Sequence, residues 1–281
     1  MKRPLIFTDL DGTLLDPATY SCQPAYPALK LIREKQIPLI FCSSKTRKEI
    51  EHYRRLLDNQ DPFVTENGGG IFIPEGYFDL SALPPGLVTI REPGYTVIRL
   101  GAPYPLLRRA VRELRAEGFA ITGFGDMTAA EVAGLTGLDA EQATMAKERD
   151  FDEPFILNGV SADAERLCES IRAKGFYSTK GRLFHLLGKS DKGEAVDLLS
   201  ALFRERWRCE PTVIALGDSP NDLPMLRRAD YSVAIRKPDG SHDPSFDLPQ
   251  MIKADGIGPA GWSEAVLQVL RELSGNRRQE A

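Results

Sequence analysis

The chain has 281 residues, of which 42% are hydrophobic and 27% charged, enough for one large globular domain or two of ordinary size. A formal net charge of −4 offers no general attraction to nucleic acid or to an anionic membrane, so we expect neither as a partner. The four cysteines are widely scattered and the N-terminal apolar run is too short for a signal peptide, which predicts a cytoplasmic protein. No sequence pattern indicates an oligomeric state.

A short stretch near the start of the chain, Leu5–Thr8, ends at two carboxylates, Asp9 and Asp11. It is too short for a helix and predicts a buried strand. Because alternate side chains of an extended chain point the same way, we expect Asp9 and Asp11 to project together, with Gly12 permitting the following turn. Such a pair suits Mg²⁺ bound with a substrate phosphate, or a carboxylate nucleophile that attacks phosphorus. A surface turn is the competing interpretation, since Asp-Gly is a common turn dipeptide.

The next predicted elements alternate between helix and strand. They are a helix over Gln23–Gln36, a buried strand over Ile37–Cys42 and a charged helix over Arg47–Asp58. This alternation is typical of a parallel sheet, whose binding crevice lies at the carboxyl ends of its strands. Ser43 is therefore expected at the same edge as Asp9, where its hydroxyl suits a phosphoryl oxygen. The local alternative is that this serine, or the next one, is a plain helix N-cap.

A glycine-rich stretch follows, in which Glu66-Asn67-Gly68-Gly69-Gly70 separates the strand-like Pro62–Thr65 and Ile71–Ile73. Its glycines allow positive φ angles or a close approach to a ligand. A hairpin turn is the more economical interpretation.

The pattern changes near Pro84-Pro85-Gly86, a linker-like break. The segment that follows mixes strands and helices in a way that is typical of an inserted α+β unit with a mainly antiparallel sheet. Its predicted strands are Thr96–Leu100, Phe119–Thr122, Pro154–Leu157, Phe176–Thr179 and Leu183–Leu187, and its predicted helices are Pro105–Glu117, Ala129–Leu135, Ala140–Glu148 and Ala162–Ala173.

The parallel-sheet pattern resumes at Lys189, with a predicted helix that opens near Lys192 and runs through Arg206. A lysine in the first turn opposes the helix dipole, so Lys192 is oddly placed for a purely structural residue. A solvated surface lysine is the alternative.

A further buried strand, Thr212–Leu216, leads into Gly217-Asp218-Ser219-Pro220-Asn221-Asp222. Asp218 is another carboxylate at a strand's carboxyl end, and Asp222 lies about one helical turn on. Alone, this run would be a Gly-Asp turn followed by a helix N-terminal charge, but beside Asp9 and Asp11 it favours a shared acidic site. The remaining predicted elements are the helix Leu223–Arg228, the strand Tyr231–Ile235, the polar loop Arg236–Asp247 and the helix Ser263–Leu273.

Four elements now stand in chain order: Asp9-Leu10-Asp11-Gly12-Thr13, Ser43, Lys192 and the run from Gly217 to Asp222. Together they resemble the four signature motifs of the haloacid dehalogenase-like (HAD) phosphohydrolase superfamily. The resemblance implies an α/β fold with a Rossmann-like parallel-sheet core over residues 1–84 and 188–281. The insertion, residues 85–187, resembles the α+β cap of the Cof-type subgroup, which implies a substrate-specificity domain.

A closer resemblance, to the mannosyl-3-phosphoglycerate phosphatase family, extends over most of the chain. The runs that carry it are Ser43-Ser44-Lys45-Thr46-Arg47, Glu66-Asn67-Gly68-Gly69, Gly123-Phe124-Gly125-Asp126-Met127-Thr128, Leu135-Thr136-Gly137-Leu138, Gly181-Arg182-Leu183-Phe184-His185, Asp218-Ser219-Pro220-Asn221-Asp222 and Gly258-Pro259-Ala260-Gly261-Trp262. This resemblance implies Mg²⁺-dependent hydrolysis of a small anionic phosphorylated sugar-glycerate, 2-O-(α-D-mannosyl)-3-phosphoglycerate, to the compatible solute mannosylglycerate.

The resemblance also implies catalytic and metal-binding roles. Asp9 is the expected nucleophile, and Asp11 the acid that protonates the leaving oxygen and then the base that activates water. Asp9 and Asp218 are expected to ligate Mg²⁺ through their side chains and Asp11 through its backbone carbonyl. Asp222 completes this acidic group and is expected to orient metal-bound water or Lys192.

The residues expected to hold the transferring phosphoryl oxygens are Ser43, Lys192 and Asn221. Lys189 competes with Lys192 for the role of phosphate lysine. Lys192 is preferred because the family's Lys-Gly pair matches Lys192-Gly193.

The candidate substrate-binding residues are Glu66, Asn67, Gly68, Asp126, Arg182 and His185. Arg182 is the expected cap cation, because its planar guanidinium suits a carboxylate or a phosphate. Asp126 is expected to accept hydrogen bonds from sugar hydroxyls. His185 lies on an apolar strand, where a histidine is more often structural than ligand-binding, so both roles stay open.

Three alternatives accompany this interpretation. The first is a Cof-type phosphatase for another sugar phosphate, such as glucosyl-3-phosphoglycerate, which differs in the configuration of one hydroxyl. The second is a receiver-type signalling domain, which stores a phosphoryl group on an aspartate; Asp11 and the inserted unit argue against it. The third is a catalytically idle binding protein, which the intact set of acids disfavours.

Overall fold

The computed structural model describes residues 2–81, 83–158 and 162–276. The chain forms two compact units, one of Met1–Cys42 with Gly193–Ala281 and the other of Ser43–Lys192. Within the described ranges, no helix has the length and apolar character needed to cross a lipid bilayer.

Thirteen strands and nine helices are numbered in chain order over the described residues. The strands are β1 (Arg3–Thr8), β2 (Leu39–Cys42), β3 (Phe63–Thr65), β4 (Gly70–Pro74), β5 (Val88–Glu92), β6 (Tyr95–Arg99), β7 (Ile121–Gly123), β8 (Asp152–Leu157), β9 (Tyr177–Lys180), β10 (Phe184–Leu187), β11 (Pro211–Gly217), β12 (Tyr231–Arg236) and β13 (Ile252–Ile257). The helices are α1 (Tyr26–Glu34), α2 (Arg47–Leu56), α3 (Tyr104–Ala116), α4 (Ala129–Thr136), α5 (Ala140–Ala146), α6 (Ala162–Ala173), α7 (Lys192–Trp207), α8 (Leu223–Leu226) and α9 (Gly258–Asn276).

The first unit is built on a parallel sheet with the strand order β13-β12-β11-β1-β2. β11 is buried along its whole length and β1 from Leu5 to Thr8, as expected for central strands covered on both faces. Because the strands run the same way, the residues that follow β1 and β11 meet at one edge of the sheet. The predicted α/β core with a parallel sheet is confirmed.

The last helix, α9, is attached to this sheet beside the end of β1. It packs against β13, β12 and α1. Trp262 is fully buried, and its indole N–H donates to Thr8 Oγ1 at 2.9 Å. The Thr8 hydroxyl donates in turn to the carbonyl oxygen of Asp9 at 2.7 Å. The indole therefore stabilises the end of β1, directly before the predicted nucleophile.

The second unit contains two antiparallel sheets, with the strand orders β3-β4-β6-β5 and β7-β8-β10-β9. Helices α3 and α6 pack against each other and against strands of the second sheet. Apolar side chains form the core there: Leu107, Ala110, Val111, Leu114, Phe119, Ile121, Phe155, Leu167, Ile171 and Leu186. The predicted α+β character and antiparallel sheet of the insertion are confirmed.

Two strands that the sequence does not predict, β5 and β13, lie at sheet edges. β5 leaves Val88 and Thr89 exposed, and β13 buries only Ala254 and exposes every second residue, so neither carries the apolar run of a central strand. The predicted strand Thr96–Leu100 corresponds to β6, which pairs with β4 and β5 and therefore lies outside the sheet of the insertion. The predicted cap boundaries at residues 85 and 187 stay a prediction.

The start of α9 also differs from the prediction. The helix begins at Gly258 and not at Ser263. Gly258 takes a positive φ of 51°, which a glycine adopts at little cost, and Pro259 suits the first helical turn.

Candidate active site

The loop after β1 carries Asp9 and Asp11. The backbone N–H of Asp9 donates to the carbonyl of Leu216 on β11 at 3.0 Å. The loop then closes on itself, because the N–H of Gly12 donates to the Leu15 carbonyl at 2.9 Å. Gly12 has a φ of 77°, so the turn needs the residue that the sequence supplies there.

The loop after β11 carries Asp218 and is held by Asp222. Asp222 Oδ2 accepts the backbone N–H groups of Asp218 and Ser219, both at 3.0 Å. A Cβ atom at Gly217 would lie 2.4 Å from the Cβ of Asp222, so only glycine allows this close approach. Asp222 therefore fixes the turn on which Asp218 is presented.

These two loops converge on the carboxylate of Asp218. Thr13 Oγ1 donates to Asp218 Oδ1 at 3.1 Å, and Ser219 Oγ donates to Asp218 Oδ2 at 3.0 Å. A Cβ atom at Gly12 would lie 2.8 Å from Asp218 Oδ2. The predicted meeting of the two acidic runs at one edge of the sheet is therefore confirmed.

Asp9, Asp218 and Asp222 form a compact acidic group. Each offers a carboxylate oxygen, and these oxygens lie within 4.8 Å of one another. Asp222 is fully buried, whereas Asp9 and Asp218 keep 5% and 8% of their surface exposed. Buried carboxylates this close repel unless a cation or proton intervenes, and hard oxygen donors suit a divalent ion such as Mg²⁺. The group is therefore able to bind a metal ion.

Asp11 lies in the same loop but outside this trio and is partly exposed. Asn221 also lies on the Asp218 loop, in the short 3₁₀ turn Pro220–Asp222. Their predicted roles, in acid/base catalysis and phosphate binding, stay predictions.

In the second unit, both backbone groups of Ser43 are hydrogen-bonded. Its N–H donates to the Val64 carbonyl at 3.1 Å, and its carbonyl accepts from the N–H of Asn67 at 3.0 Å. The N-cap of α2 is Thr46, whose hydroxyl accepts from the N–H of Glu49. The interpretation of Ser43 or its neighbour as the N-cap is therefore wrong.

Lys192 opens α7 and is completely buried, whereas Lys189 is exposed. The interpretation of Lys192 as a solvated surface lysine is therefore wrong. The preference for Lys192 over Lys189 as the phosphate lysine stays a prediction. Gly68 packs against the peptide bond between Asp191 and Lys192, since a Cβ atom at Gly68 would lie 2.2 Å from the Asp191 carbonyl oxygen. Close backbone approach thus accounts for this glycine.

Glu66 and Asn67 lie in the turn that joins the antiparallel strands β3 and β4, which confirms the hairpin. The buried carboxyl group of Glu66 accepts the backbone N–H groups of residues 150, 151 and 152. Burial raises the pKa of Glu66 to about 8, against the opposing charge of Arg149. The Asn67 amide donates to Asp152 Oδ2 at 2.9 Å. Both side chains therefore hold residues 150–152, where β8 begins.

The predicted cap residues have well-defined partners within the second unit. His185 is buried, and its Nδ1 lies 2.8 Å from Asp152 Oδ2. Arg182 is exposed and donates from Nη2 to the Leu135 carbonyl at 2.8 Å. Their contribution to substrate binding stays a prediction.

Asp126 pairs with two arginines, Arg108 and Arg115. Although burial alone would raise the pKa of Asp126, the hydrogen bonds from both arginines hold it well below its usual range. A Cβ atom at Gly125 would lie 2.5 Å from Arg108 Nε, so the glycine makes room for this pair. The Asp126 carboxylate thus stabilises the turn Phe124–Asp126, in which it also accepts the N–H of Gly123. Its predicted contact with sugar hydroxyls stays a prediction.

Several residues of these networks are not found by sequence reasoning, among them Thr13, Ser219, Asp152 and Arg149. Thr13 and Ser219 lie inside the recognised runs, where their hydroxyls beside acids were the available signal. Asp152 and Arg149 carry no local signal for their contacts with the loops, because those partners are distant in the chain: Arg149 donates to a carbonyl 105 residues away, and Asp152 accepts from an amide 85 residues away.

Comparisons with known proteins find relatives over almost the whole chain. The sequence profile of haloacid dehalogenase-like hydrolases matches residues 6–82 and 157–239. A glucosyl-3-phosphoglycerate/mannosyl-3-phosphoglycerate phosphatase of Methanococcoides burtonii is 46% identical over 95% of this chain and 97% of its own length. A protein of the same name from Persephonella marina is 41% identical over 96% of this chain and 98% of its own length.

Solved structures share the fold. A crystal structure from Thermoplasma acidophilum aligns with a TM-score of 0.67 and 15% identity, covering 95% of this chain and 98% of that one. At this identity the likeness shows the fold alone.

The buried carboxyl group of Glu66 predicts a specific pH dependence of stability. In the unfolded chain Glu66 loses its proton near its ordinary pKa of 4.5, whereas the folded chain keeps the proton up to about pH 8. The contribution of Glu66 to the free energy of unfolding is therefore fully present below pH 4.5 and is lost as the pH rises through this window. Glu66→Gln removes this titration. The difference in the free energy of unfolding between Glu66→Gln and wild type should therefore grow in favour of the variant by a few kcal/mol between pH 4.5 and about 8, and then stay constant.

Thermal unfolding of wild type, Glu66→Gln and Glu169→Gln, an exposed control, across this pH range measures the effect. Parallel pH profiles for wild type and Glu66→Gln would contradict the assignment.

Proposed function

The chain belongs to the haloacid dehalogenase-like hydrolase family, and on that premise we propose that it is a Mg²⁺-dependent phosphatase for glycosyl-3-phosphoglycerates, with Asp9 as the nucleophile. The observation that carries the proposal is the convergence of the Asp9 and Asp218 loops into one buried acidic group. Family membership and the phosphatase names of its relatives set aside the receiver-domain and idle-binder alternatives.

Asp9, Asp218 and Asp222 would hold Mg²⁺, with the Asp11 carbonyl as a further ligand. Three crowded carboxylates fit a hard divalent cation, and hydrogen bonds from Thr13 and Ser219 hold the Asp218 carboxylate in place. When bound, the ion neutralises the repulsion between the attacking carboxylate and the phosphate.

The chain's own residues would carry the two chemical steps. In the first, a carboxylate oxygen of Asp9 bonds to phosphorus while the bond from phosphorus to the glycerate oxygen breaks, and Asp11 gives that oxygen a proton. In the second, Asp11 takes a proton from water, whose oxygen attacks the aspartyl phosphate. Inorganic phosphate leaves, Asp9 is regenerated and Asp11 has its proton again.

Ser43, Lys192 and Asn221 would bind the transferring phosphoryl oxygens. This assignment rests on the motif resemblance, the complete burial of Lys192 and the tightly bonded loop of Ser43. A fully buried ammonium suits a site where anionic oxygens replace its hydration.

The substrate would be 2-O-(α-D-mannosyl)-3-phosphoglycerate, with the glucosyl epimer as a second substrate, because two relatives that span almost the whole chain carry both substrates in their names. The product, mannosylglycerate, is a compatible solute. The candidate substrate-binding residues are the six that the sequence predicts: Glu66, Asn67, Gly68, Asp126, Arg182 and His185. Of these, Arg182 is exposed and carries the charge complementary to the glycerate carboxylate. A Cof-type phosphatase for a different sugar phosphate is the competing function.

Substitution of the two acids of the first loop separates the proposed steps. Asp9→Asn should lower turnover by several orders of magnitude, because it removes the nucleophile. Asp11→Asn should also lower turnover but leave a phosphoryl group on Asp9, since no base activates the water. Intact-protein mass spectrometry after rapid quenching detects that adduct. Rapid hydrolysis by Asp11→Asn, without an adduct, would contradict its acid/base role.

A panel of phosphorylated glycosides tests the substrate. With Mg²⁺ present, kcat/KM should be highest for mannosyl- and glucosyl-3-phosphoglycerate and much lower for hexose phosphates without the glycerate. Arg182→Ala should reduce this preference mainly through KM, as loss of uniform binding does. Fast turnover of a hexose phosphate beside slow turnover of both glycosyl-3-phosphoglycerates would defeat the substrate assignment while leaving the phosphatase intact.

A further inference from the structure

We propose that Arg149, in the segment between α5 and β8, is a positioning residue for Ser43, and that it acts through the peptide bond between Ser44 and Lys45. The inference rests on the proposed function, since it concerns the serine assigned to the phosphoryl group. All of these residues belong to the second compact unit.

The guanidinium group of Arg149 is buried and makes directional contacts. Its side chain keeps only 5% of its surface exposed. Nη1 donates to the carbonyl of Ser44 at 2.7 Å, and Nε donates to the carbonyl of Ala146 at 2.8 Å. The group also lies over the ring of Phe124, at 5.7 Å from its centroid. Arg149 therefore joins its own segment to the loop after β2.

The peptide that Arg149 holds is also the one that contacts the Ser43 hydroxyl. The N–H of Lys45 donates to Ser43 Oγ at 3.3 Å. This N–H and the Ser44 carbonyl belong to the same planar peptide unit, so the orientation of one end fixes that of the other. A hydrogen bond from Arg149 at the carbonyl end therefore sets the direction of the N–H that meets Ser43 Oγ.

Acidic groups from two elements hold the guanidinium group in place. Glu49 Oε2, on α2, lies 3.9 Å from Nη2, and Asp152 Oδ2, on β8, lies 3.8 Å from Nη1. Glu49 also binds Lys45 Nζ at 3.2 Å, and both of these side chains are at least nine-tenths buried. A planar fork can meet partners on several sides at once, which a lysine ammonium cannot do in the same geometry.

A second contact ties the same segment to the loop. Thr46 Oγ1 donates to the carbonyl of Met145 at 2.9 Å, and α2 packs against α5. The loop that carries Ser43 is thus bonded to the insertion at two points, Ser44 and Thr46. The insertion, which sequence analysis links only to substrate specificity, therefore also orders a residue assigned to phosphate binding.

A double-mutant cycle tests this role. Ser43→Ala should lower kcat/KM, and Arg149→Met should lower it by a comparable factor, on the order of 10²-fold, because a small misplacement of a catalytic contact is costly. If Arg149 acts through Ser43, adding Arg149→Met to Ser43→Ala should cause little further loss. Inhibition by inorganic phosphate should weaken in parallel in both single variants.

Two further variants make the result specific. Arg149→Lys keeps the charge but not the fork, so it should recover only part of the activity, and it replaces Arg149→Met in the cycle if the latter does not fold. Arg109→Met removes an exposed arginine of α3 and should leave kcat/KM and phosphate inhibition unchanged.

Multiplicative losses in the double variant, or wild-type kinetics for Arg149→Met, would overturn the inference. Either result leaves the proposed function standing, because that function fails through a different observation, full activity of Asp9→Asn. The two failures are therefore distinguishable in one set of variants.

Discussion

Repulsion among three buried carboxylates is the constraint on which the first unit depends. Asp9, Asp218 and Asp222 place oxygens within 4.8 Å of one another, an arrangement that is costly unless a cation or proton is shared. The surrounding backbone is built to enforce this proximity: glycines at positions 12 and 217 remove the Cβ atoms that would push the acids apart. The fold thus holds destabilising carboxylate repulsion at one edge of the parallel sheet, where a bound cation needed for phosphoryl transfer would relieve it.

The second unit solves a different electrostatic problem. Its buried charges are matched in pairs and chains, with Arg149 between Glu49 and Asp152, and Asp152 shared by Asn67 and His185. Such networks contribute little net stability, but removing one partner leaves an uncompensated buried charge. Their value here is geometric, since they fix the loop of Ser43 and the first residues of β8. Glu66 avoids an uncompensated buried charge in another way, because burial raises its pKa to about 8 and keeps it neutral below that pH.

Sequence reasoning found the parts of the site whose signals are local. Asp9 and Asp218 follow clean buried strands, so their placement at one sheet edge follows from parallel topology alone, and the structure confirms it. Edge strands β5 and β13 were missed because they bury few side chains. Asp152 and Arg149 could not be found, since the contacts that link them to the Ser43 loop and to Asn67 join residues that are far apart in the chain. The burial of Lys192 likewise depends on tertiary packing, and the sequence indicates it only through the unusual position of a lysine in the first turn of a helix.

Binding of Mg²⁺ to the acidic group is the most direct test of the account. Isothermal titration of the metal-free protein should show one Mg²⁺ site, and Asp218→Asn should weaken its affinity by at least about tenfold. Asp197→Asn, which changes an exposed acid paired with Arg228, should leave the affinity unchanged. Equal Mg²⁺ affinity in wild type and Asp218→Asn, or no Mg²⁺ binding by wild type, would contradict the claim that these carboxylates converge to hold a divalent ion.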